Sequence, residues 1–412
     1  MDSQNLKQKL SEFLLQYYDG SNQKCCIRKK YFYLNEIRMK TMKLIPILFL
    51  CLVSCNKGTH SNGYPTYSLE DISAINLQMS LPLDSFVSEM NVIPLETQDY
   101  SLIDNVDLLR ESENYLFVYS EKNGSFYRFD KQGKYLGKIG ERGQGPEEFI
   151  GIKQIELDNG QQEIYVMDYL GRKMKIYSFE GKFLRAFPLP ENLAYTNFTL
   201  IPEQKTIYYV SSQNSICPDV LKYEIPTGKF TQLSKHEREM EIGEFFYGQT
   251  FFAETNSSLY MHHYYNDTVY QIKDNKLTPD HLLVLGERII SWKDMGPELL
   301  TNPKPMRKKI QINKMASLKD YICIFYSVTR YEGTSRKDFM CIYKPGEDSF
   351  YPHANLTSQH FLDIANGHQF DTGFQGKSIL CAILPQYLSE DILQKYHIDE
   401  EDNPVIIQYI LK

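Results

Sequence analysis

The apolar residues of this chain recur in short runs that alternate with polar residues, and these runs are rich in aromatic side chains. The chain holds 31 Tyr and 23 Phe but only one Trp among its 412 residues. Gly, Asn, Asp and Pro bound the runs, and this arrangement is typical of β-strands. The 3.6-residue period of an amphipathic helix appears only near residues 297–301 and 388–396. The pattern therefore predicts an all-β chain of many short strands.

Two segments align without gaps at an offset of 48 residues, Tyr115–Gly140 and Glu163–Pro188. Each unit predicts a strand, a loop, a second strand, a tight turn and a third strand. The turns place Gly133 and Gly181 where a hairpin requires a positive φ, which glycine adopts without steric cost. The match indicates a structural repeat of about 48 residues, since a repeat of this length and strand content is usual for one blade of a propeller.

Weaker copies of the unit follow, and a period of forty to fifty residues with three or four strands is typical of a β-propeller. The copies begin near residues 207, 259, 321 and 378. We predict a six-bladed β-propeller rather than seven blades or a β-sandwich. Ring closure requires strands from both ends of the chain, and Asn91–Glu96 and Val405–Leu411 are the candidates. We expect Val405–Leu411 to be buried in a terminal blade.

A basic and then apolar segment near the N-terminus resembles a bacterial lipoprotein signal. Met39–Lys43 is followed by the apolar run Leu44–Val53, which is too short to span a bilayer as a helix. Its end, Leu52-Val53-Ser54-Cys55, is similar to a lipobox, and this resemblance implies cleavage before Cys55 and lipidation of Cys55. Asn56 stands where Asp often retains lipoproteins at the inner membrane, so we favour the outer membrane.

These features divide the chain into four parts. Residues 1–41 form an upstream extension, which we interpret as an artefact of the assigned start, with translation beginning at Met39 or Met42. Residues 42–54 are the lipoprotein signal, residues 55–90 a lipid-attached tether, and residues 91–412 the propeller.

The charge of the exported part restricts its partners. Residues 55–412 contain 36 Lys or Arg and 48 Asp or Glu, a net charge of −12. An acidic chain without a basic stripe is a poor ligand for nucleic acids. We therefore expect no nucleic acid partner, membrane contact through the lipid alone, and a monomer.

Besides Cys55, four single cysteines lie in this part: Cys217, Cys323, Cys341 and Cys381. No C-x-x-C spacing occurs among them, which argues against a zinc site. Disulfides are permitted in an exported protein, but a chain of this length does not need them to fold. Buried free thiols are the interpretation we favour.

The second repeat unit resembles an NHL repeat. The matching residues are Ile164–Asp168, Arg172, Ile176–Ser178 and Gly181–Phe183. The preceding run, Gly140–Phe149, resembles a segment of six-bladed, NHL-like or TolB-like propeller lipoproteins of Gram-negative gut-type bacteria. Asn266–Ile272 and Glu401–Val405 resemble the same family. The resemblance implies a propeller and export, and it implies no particular chemistry.

The Gly-rich run from Gly140 to Glu148 is the strongest candidate for a ligand site. Arg142, Gln144, Glu147 and Glu148 offer charged and amide groups, and exposed backbone N–H groups can bind polar ligands. The alternative, which we favour, is that the run only connects two blades. Such a connection needs an unusual backbone conformation, for which the glycines give freedom and Pro146 gives stiffness.

No pattern of residues predicts a catalytic site, a cofactor or a metal. His262 and His263 are adjacent, so in a strand they point to opposite faces and cannot easily share a metal. We expect one of them to face solvent and the other to be packed.

Three function classes remain after these exclusions. The first is a lipid-anchored module in the cell envelope that binds a glycan, a peptide or a partner protein. The second is an enzyme, a polysaccharide lyase or glycoside hydrolase, with its site at the mouth of the central channel. The third is a structural subunit of an envelope complex.

Overall fold

The computed structural model describes residues 65–69, 80–82, 87–190, 195–211, 219–234, 250–255, 258–263, 267–288, 309–318, 320–329, 336–347, 350–357, 372–375 and 378–412. The signal segment, Cys55 and Cys217 lie outside these ranges, so the predictions on them stay predictions. Within these ranges, no helix has the length and apolar character that crossing a bilayer requires.

The described chain consists of 26 strands and one α-helix. In chain order these are β1 (Thr66–Ser68), β2 (Ser80–Pro82), β3 (Val87–Pro94), β4 (Leu108–Glu111), β5 (Tyr115–Ser120), β6 (Ser125–Asp130), β7 (Tyr135–Lys138), β8 (Ile152–Asp158), β9 (Glu163–Asp168), β10 (Lys173–Ser178), β11 (Phe183–Pro188), β12 (Tyr195–Ile201), β13 (Thr206–Ser211), β14 (Asp219–Glu224), β15 (Lys229–Ser234), β16 (Thr250–Thr255), β17 (Ser258–His263), β18 (Thr268–Lys273), β19 (Lys276–Val284), β20 (Ile310–Leu318), β21 (Tyr321–Thr329), β22 (Arg336–Tyr343), β23 (Phe350–Thr357), β24 (Thr372–Gln375), β25 (Ser378–Ile383), α1 (Glu390–Tyr396) and β26 (Val405–Leu411). The helix confirms the second of the two short helical pieces predicted from the sequence.

The strands form six sheets, which are the six blades of a propeller, as predicted. Blades 1 to 5 begin with β4, β8, β12, β16 and β20, and each contains four consecutive antiparallel strands. Blade 6 contains β24, β25, β26 and β3. The innermost strands of neighbouring blades contact each other around the whole ring, including β24 with β4.

The ring closes by the two terminal strands that the sequence nominated. Strand β26 pairs antiparallel with β3 from Val405 opposite Pro94 to Leu411 opposite Val87. Six of the seven residues of β26 are buried. Pairing of this kind closes the blade with segments from both ends of the chain, so the prediction of a buried terminal strand is confirmed.

The two aligned units fold as blades 1 and 2. Gly133 and Gly181 occupy the tight turns with φ of +86° and +93°, as the repeat predicts. In all six blades the pairing of the third strand with the outermost strand is interrupted by a β-bulge or irregularity. Bulges increase the twist of a strand and blunt its free edge. They place Leu136 and Leu184 as the unpaired residues of β7 and β11.

The N-terminal segment adds strands to blades 4 and 5. Strand β1 pairs in parallel with β19, and β2 pairs in parallel with β23. Tyr67 of β1 is buried and stacks on Phe350 with ring centroids 4.3 Å apart. The sequence assigned residues 55–90 to a tether and began the propeller at residue 91. The fold instead includes β1, β2 and the first half of β3. The sequence did not predict β1 and β2, because strands this short carry little pattern and form only by pairing with existing sheet edges.

Six hydrophobic clusters form the core, and each lies between two neighbouring blades. Between blades 1 and 2, for example, Phe117, Tyr119 and Phe126 pack with Phe149 and Tyr177. These aromatic residues therefore fill the core between the two blades. Single blades bury both faces of their sheets only in the ring.

The same packing overturns the expectation for the two adjacent histidines. His262 and His263 are both fully buried, because both faces of β17 lie against neighbouring blades. Three of the four cysteines are buried and free, as favoured: Cys323, Cys341 and Cys381. Burial raises the pKa of the Cys323 thiol to about 12. Burial also raises the pKa of the Cys341 thiol, so the thiols of Cys323 and Cys341 stay protonated and unreactive at neutral pH.

Candidate functional site

The Gly-rich run predicted as a ligand site connects β7 of blade 1 to β8 of blade 2. Arg142, Gln144 and Glu147 are exposed, and Glu148 is half-buried. The Glu148 carboxylate accepts a hydrogen bond from the backbone N–H of Gly145 at 2.7 Å. A Cβ atom at Gly143 would lie 1.9 Å from Glu148 Oε2, so a side chain there would displace the Glu148 carboxylate. Glu148 thus shapes the loop, whereas the other three side chains extend from it.

Two buried side chains of β10 hold this loop from below. Lys175 is 3% exposed, and its Nζ donates hydrogen bonds to the carbonyls of Pro146 and Glu148. The Tyr177 hydroxyl donates to the carbonyl of Glu147 at 2.7 Å. Burial lowers the pKa of Lys175, and the nearby Asp168 carboxylate opposes this shift. Burial raises the pKa of Tyr177. Both groups therefore act as hydrogen-bond donors to the loop.

Asp168, at the end of β9, ties the loop to the next turn of blade 2. Its side chain is 1% exposed. Its Oδ1 accepts hydrogen bonds from the backbone N–H groups of Ile150, Gly151 and Gly171, at 3.2, 3.1 and 3.0 Å. A buried carboxylate of this kind fixes the two backbone segments relative to each other. The turn that it holds, 169–172, exposes Tyr169 and Leu170.

A second buried polar side chain, Asn403, performs the same task between blades 6 and 1. Its Oδ1 accepts from the N–H of Ile103 at 2.8 Å. Its Nδ2 donates to the carbonyls of Glu96 and Ser101 at 2.8 and 2.9 Å. The segment before β26 is thereby joined to the connection between β3 and β4. Asn403 belongs to the run Glu401–Val405, which the sequence singled out without assigning it a role.

Further contacts join the connection between β3 and β4 to a turn of blade 1, and that turn to the loop that leads into blade 2. Asn123 Nδ2 donates to the carbonyl of Leu102 at 2.6 Å, and Lys122 pairs with Asp104 at 3.2 Å. A Cβ atom at Gly124 would lie 2.4 Å from Arg142 Cδ, so the Arg142 side chain lies on the turn of blade 1. One continuous set of connections therefore runs from blade 6 across blade 1 to blade 2.

We call this set the connection surface, and it comprises residues 97–107, 121–124, 139–151, 169–172 and 384–404. All five segments lie on one face of the propeller. The chain crosses each blade four times, so connections between blades and connections between second and third strands emerge on the same side.

Large exposed apolar side chains concentrate on the connection surface. Among the described residues, eight large apolar side chains are markedly exposed. Five belong to the connection surface: Tyr100, Leu102, Tyr169, Leu170 and Tyr387. The other three lie in outermost strands: Leu136, Leu184 and Phe230. The sequence carried a signal for part of this set, because Tyr169-Leu170 places two large apolar residues in a turn between two strands.

A separate group of charged side chains lies on or next to the innermost strands, towards the face opposite the connection surface. Arg110 of blade 1 pairs with Glu156 of blade 2 at 3.1 Å. Desolvation by the surrounding strands, and then the charges of Glu203 and Glu156, raise the pKa of Glu254 in blade 4, although its side chain is accessible to solvent. Three blades therefore bring carboxylates close together in this part of the molecule. The described residues contain no group of three or more His, Cys, Asp or Glu side chains with metal-binding geometry.

Comparison with solved structures shows the same fold in proteins of low identity. A Bacteroides fragilis protein whose name describes it as exported is 17% identical, with a TM-score of 0.60 over 84% of this chain and 99% of that one. A Bacteroides vulgatus member of the DUF4221 family is 11% identical, with a TM-score of 0.51 over 79% of this chain and 97% of that one. At these identities the similarity concerns the fold alone.

Comparison of the sequence with curated proteins gives no match. The family model described as a domain of unknown function, DUF4934, matches residues 69–409. This range begins just after β1 and ends within β26, so it includes strands of all six blades. The chain belongs to the DUF4934 family.

Proposed function

We propose that the protein is a lipid-anchored β-propeller of the cell envelope that binds a glycan, a peptide or a partner protein through its connection surface. The observation that carries the proposal is the exposure of Tyr169 and Leu170, 39% and 52%, in a turn that Asp168 joins to the loop carrying Arg142. Aromatic and apolar groups with nearby polar groups are the usual composition of a binding site. The lipobox at Cys55 and the name of the Bacteroides fragilis neighbour support an extracytoplasmic location, and Asn56 favours the outer membrane.

The anchor is tested separately from binding. Cells that express the chain are labelled with a fatty acid, and the wild type is compared with Cys55→Ser. The wild type should incorporate the label and the variant should not. Label that persists in the variant would contradict lipidation at Cys55.

The binding role is tested with the full chain in detergent against a panel of polysaccharides and envelope proteins. The variant Tyr169→Ala/Leu170→Ser removes both exposed side chains from the connection surface. The matched control is Leu136→Ser/Leu184→Ser, which removes two leucines of 37% and 40% exposure from the outermost strands. Binding should be lost in the first variant and retained in the second. Binding that survives both changes would place the site elsewhere.

A second candidate is an enzyme with its site at the mouth of the channel, a polysaccharide lyase or glycoside hydrolase. The observation that favours it is the raised pKa of Glu254 beside Glu203 and Glu156. A glycosidase pairs a protonated acid with an ionised carboxylate. Analysis of products from the same polysaccharide panel tests it. Turnover that is abolished by Glu254→Gln but insensitive to Tyr169→Ala/Leu170→Ser would favour the enzyme over the binding module.

A further inference from the structure

The connection surface combines its apolar side chains with a strong excess of negative charge. Its segments contain thirteen Asp or Glu and four Lys or Arg, a net charge of −9. Residues 55–412 as a whole carry −12, so most of the excess lies here. Eleven of the thirteen acidic side chains are exposed. The charge is therefore presented to solvent beside the exposed apolar residues.

The few basic groups of the surface do not neutralise this charge. Lys122 is paired with Asp104, and Arg142 lies against the turn of blade 1. Four of the thirteen acidic groups stand close to the exposed apolar positions along the chain. Asp99 and Asp104 stand on either side of Leu102, and Glu390 and Asp391 follow Tyr387 closely. A partner that covers the apolar side chains must therefore also face these carboxylates.

This combination discriminates among partner classes. An anionic polysaccharide, a nucleic acid or an acidic protein surface would bring like charges together, which costs binding free energy. A neutral glycan would leave the carboxylates without opposite charge. A polypeptide segment that alternates Lys or Arg with apolar side chains offers complementary charge and can cover exposed apolar side chains of the connection surface.

From this complementarity we infer that the partner of the connection surface is a basic polypeptide segment rich in apolar side chains. The inference rests on the proposed binding function and names its partner class. Charge would speed the encounter, and the apolar contacts would retain the bound segment. Affinity should therefore fall with added salt but should not vanish, because screening weakens the charge contribution alone.

The test measures binding of three synthetic peptides of equal length to the full chain in detergent. The first alternates Lys with Leu and Tyr, the second replaces Lys by Glu, and the third replaces Leu and Tyr by Ser. A neutral polysaccharide is measured beside them. The first peptide should bind at least about tenfold more tightly than either of the others, since it alone satisfies both the charge and the apolar surface.

Variants then locate the site. Glu141→Lys/Glu147→Lys and, separately, Tyr169→Ala/Leu170→Ser should each weaken binding of the first peptide by about tenfold. The matched charge control, Glu113→Lys/Glu180→Lys, changes exposed acids in turns on the opposite face of the propeller and should alter affinity by less than about twofold.

The outcomes separate the partner class from the binding function. Equal binding of the first and third peptides, or equal weakening by the control variant, would show non-specific charge attraction and overturn the inference. Binding of the polysaccharide alone, lost in Tyr169→Ala/Leu170→Ser, would overturn the peptide partner and retain the binding function. Absence of binding to all probes and to the polysaccharide panel would overturn both.

Discussion

Replacement of Asp168 by alanine should destabilise the loop that carries Arg142, Gln144 and Glu147. The buried Oδ1 accepts three backbone N–H groups, and alanine would leave all three without an acceptor. A lost hydrogen bond costs about 1 kcal/mol, and more when the acceptor is charged. The change also removes the negative charge near the buried Lys175 ammonium. We therefore expect a loss of roughly 3 to 5 kcal/mol in the free energy of unfolding.

Two further variants test whether the loss of unfolding free energy depends on the charge and on the number of hydrogen bonds. Asp168→Asn keeps a carbonyl oxygen that can accept the same N–H groups but removes the charge, so it should lose about half as much. Asp158 is a buried aspartate of the same blade whose Oδ1 accepts one backbone N–H, that of Gln161 at 3.0 Å. Asp158→Ala should therefore cost only about 1 kcal/mol.

Urea unfolding, followed by far-UV circular dichroism and by tyrosine fluorescence, measures the loss. If the two probes report the same transition, the free energy of unfolding can be calculated with a two-state model. Hydrogen exchange adds a local test, because the amides of Ile150, Gly151 and Gly171 should exchange faster in Asp168→Ala. A loss below about 1 kcal/mol together with unchanged exchange at these amides would refute the reasoning, since three buried donors cannot lose their acceptor at no cost.

Four further predictions concern the closure, the pH dependence and the orientation of the propeller. Asn403→Ala should lower the free energy of unfolding by about 3 kcal/mol, because three buried hydrogen bonds are lost; a urea midpoint equal to wild type would contradict this. Deletion of residues 404–412 should abolish soluble expression, and normal yield with normal melting would refute the closure argument. Burial lowers the pKa of His281 below its usual 6.5, so stability should fall as pH drops below about 6.5, by up to about 1.4 kcal/mol per unit; urea titrations of His281→Gln should lack this part of the slope. In vesicles, nitroxide lipids should quench a fluorophore at Glu287→Cys, just after the end of β19 with which β1 pairs, more than one at Asn105→Cys; the reverse order would contradict an anchor attached at blade 4.

The fold could be predicted because its information is local. Alternating runs, turn glycines and a 48-residue offset are properties of neighbouring residues, and they specify strands and blades without knowledge of the tertiary contacts. The closing strand β26 was predictable for the same reason, since Val405–Leu411 is a continuous apolar run. Strands β1 and β2 were missed because three residues carry too little pattern to predict pairing.

The candidate site could be predicted only in part, because its organisation depends on distant residues. The run 140–148 was identified from its glycines and charges, and it does lie at an exposed connection. The roles of Asp168 and Asn403 were not predictable, because two of the three partners of Asp168 are 17 and 18 residues away along the chain and those of Asn403 are about 300 residues away. Both residues stand in motifs that resemble known propellers, yet a motif does not reveal which backbone groups a side chain will meet.

The position of β1 has a consequence for the orientation of the proposed anchor. Strand β1 pairs with β19, the fourth strand of blade 4. Blade 4 lies opposite blade 1 in the ring of six blades. If Cys55 carries lipid, the chain from Cys55 to Thr66 spans at most about 40 Å even when fully extended. The lipid is then attached within about 40 Å of β1 at the rim of blade 4, whereas the connection surface is centred on blade 1. Attachment and binding would therefore occupy opposite sides of the ring, so a bulky partner could reach the connection surface without displacing the tether.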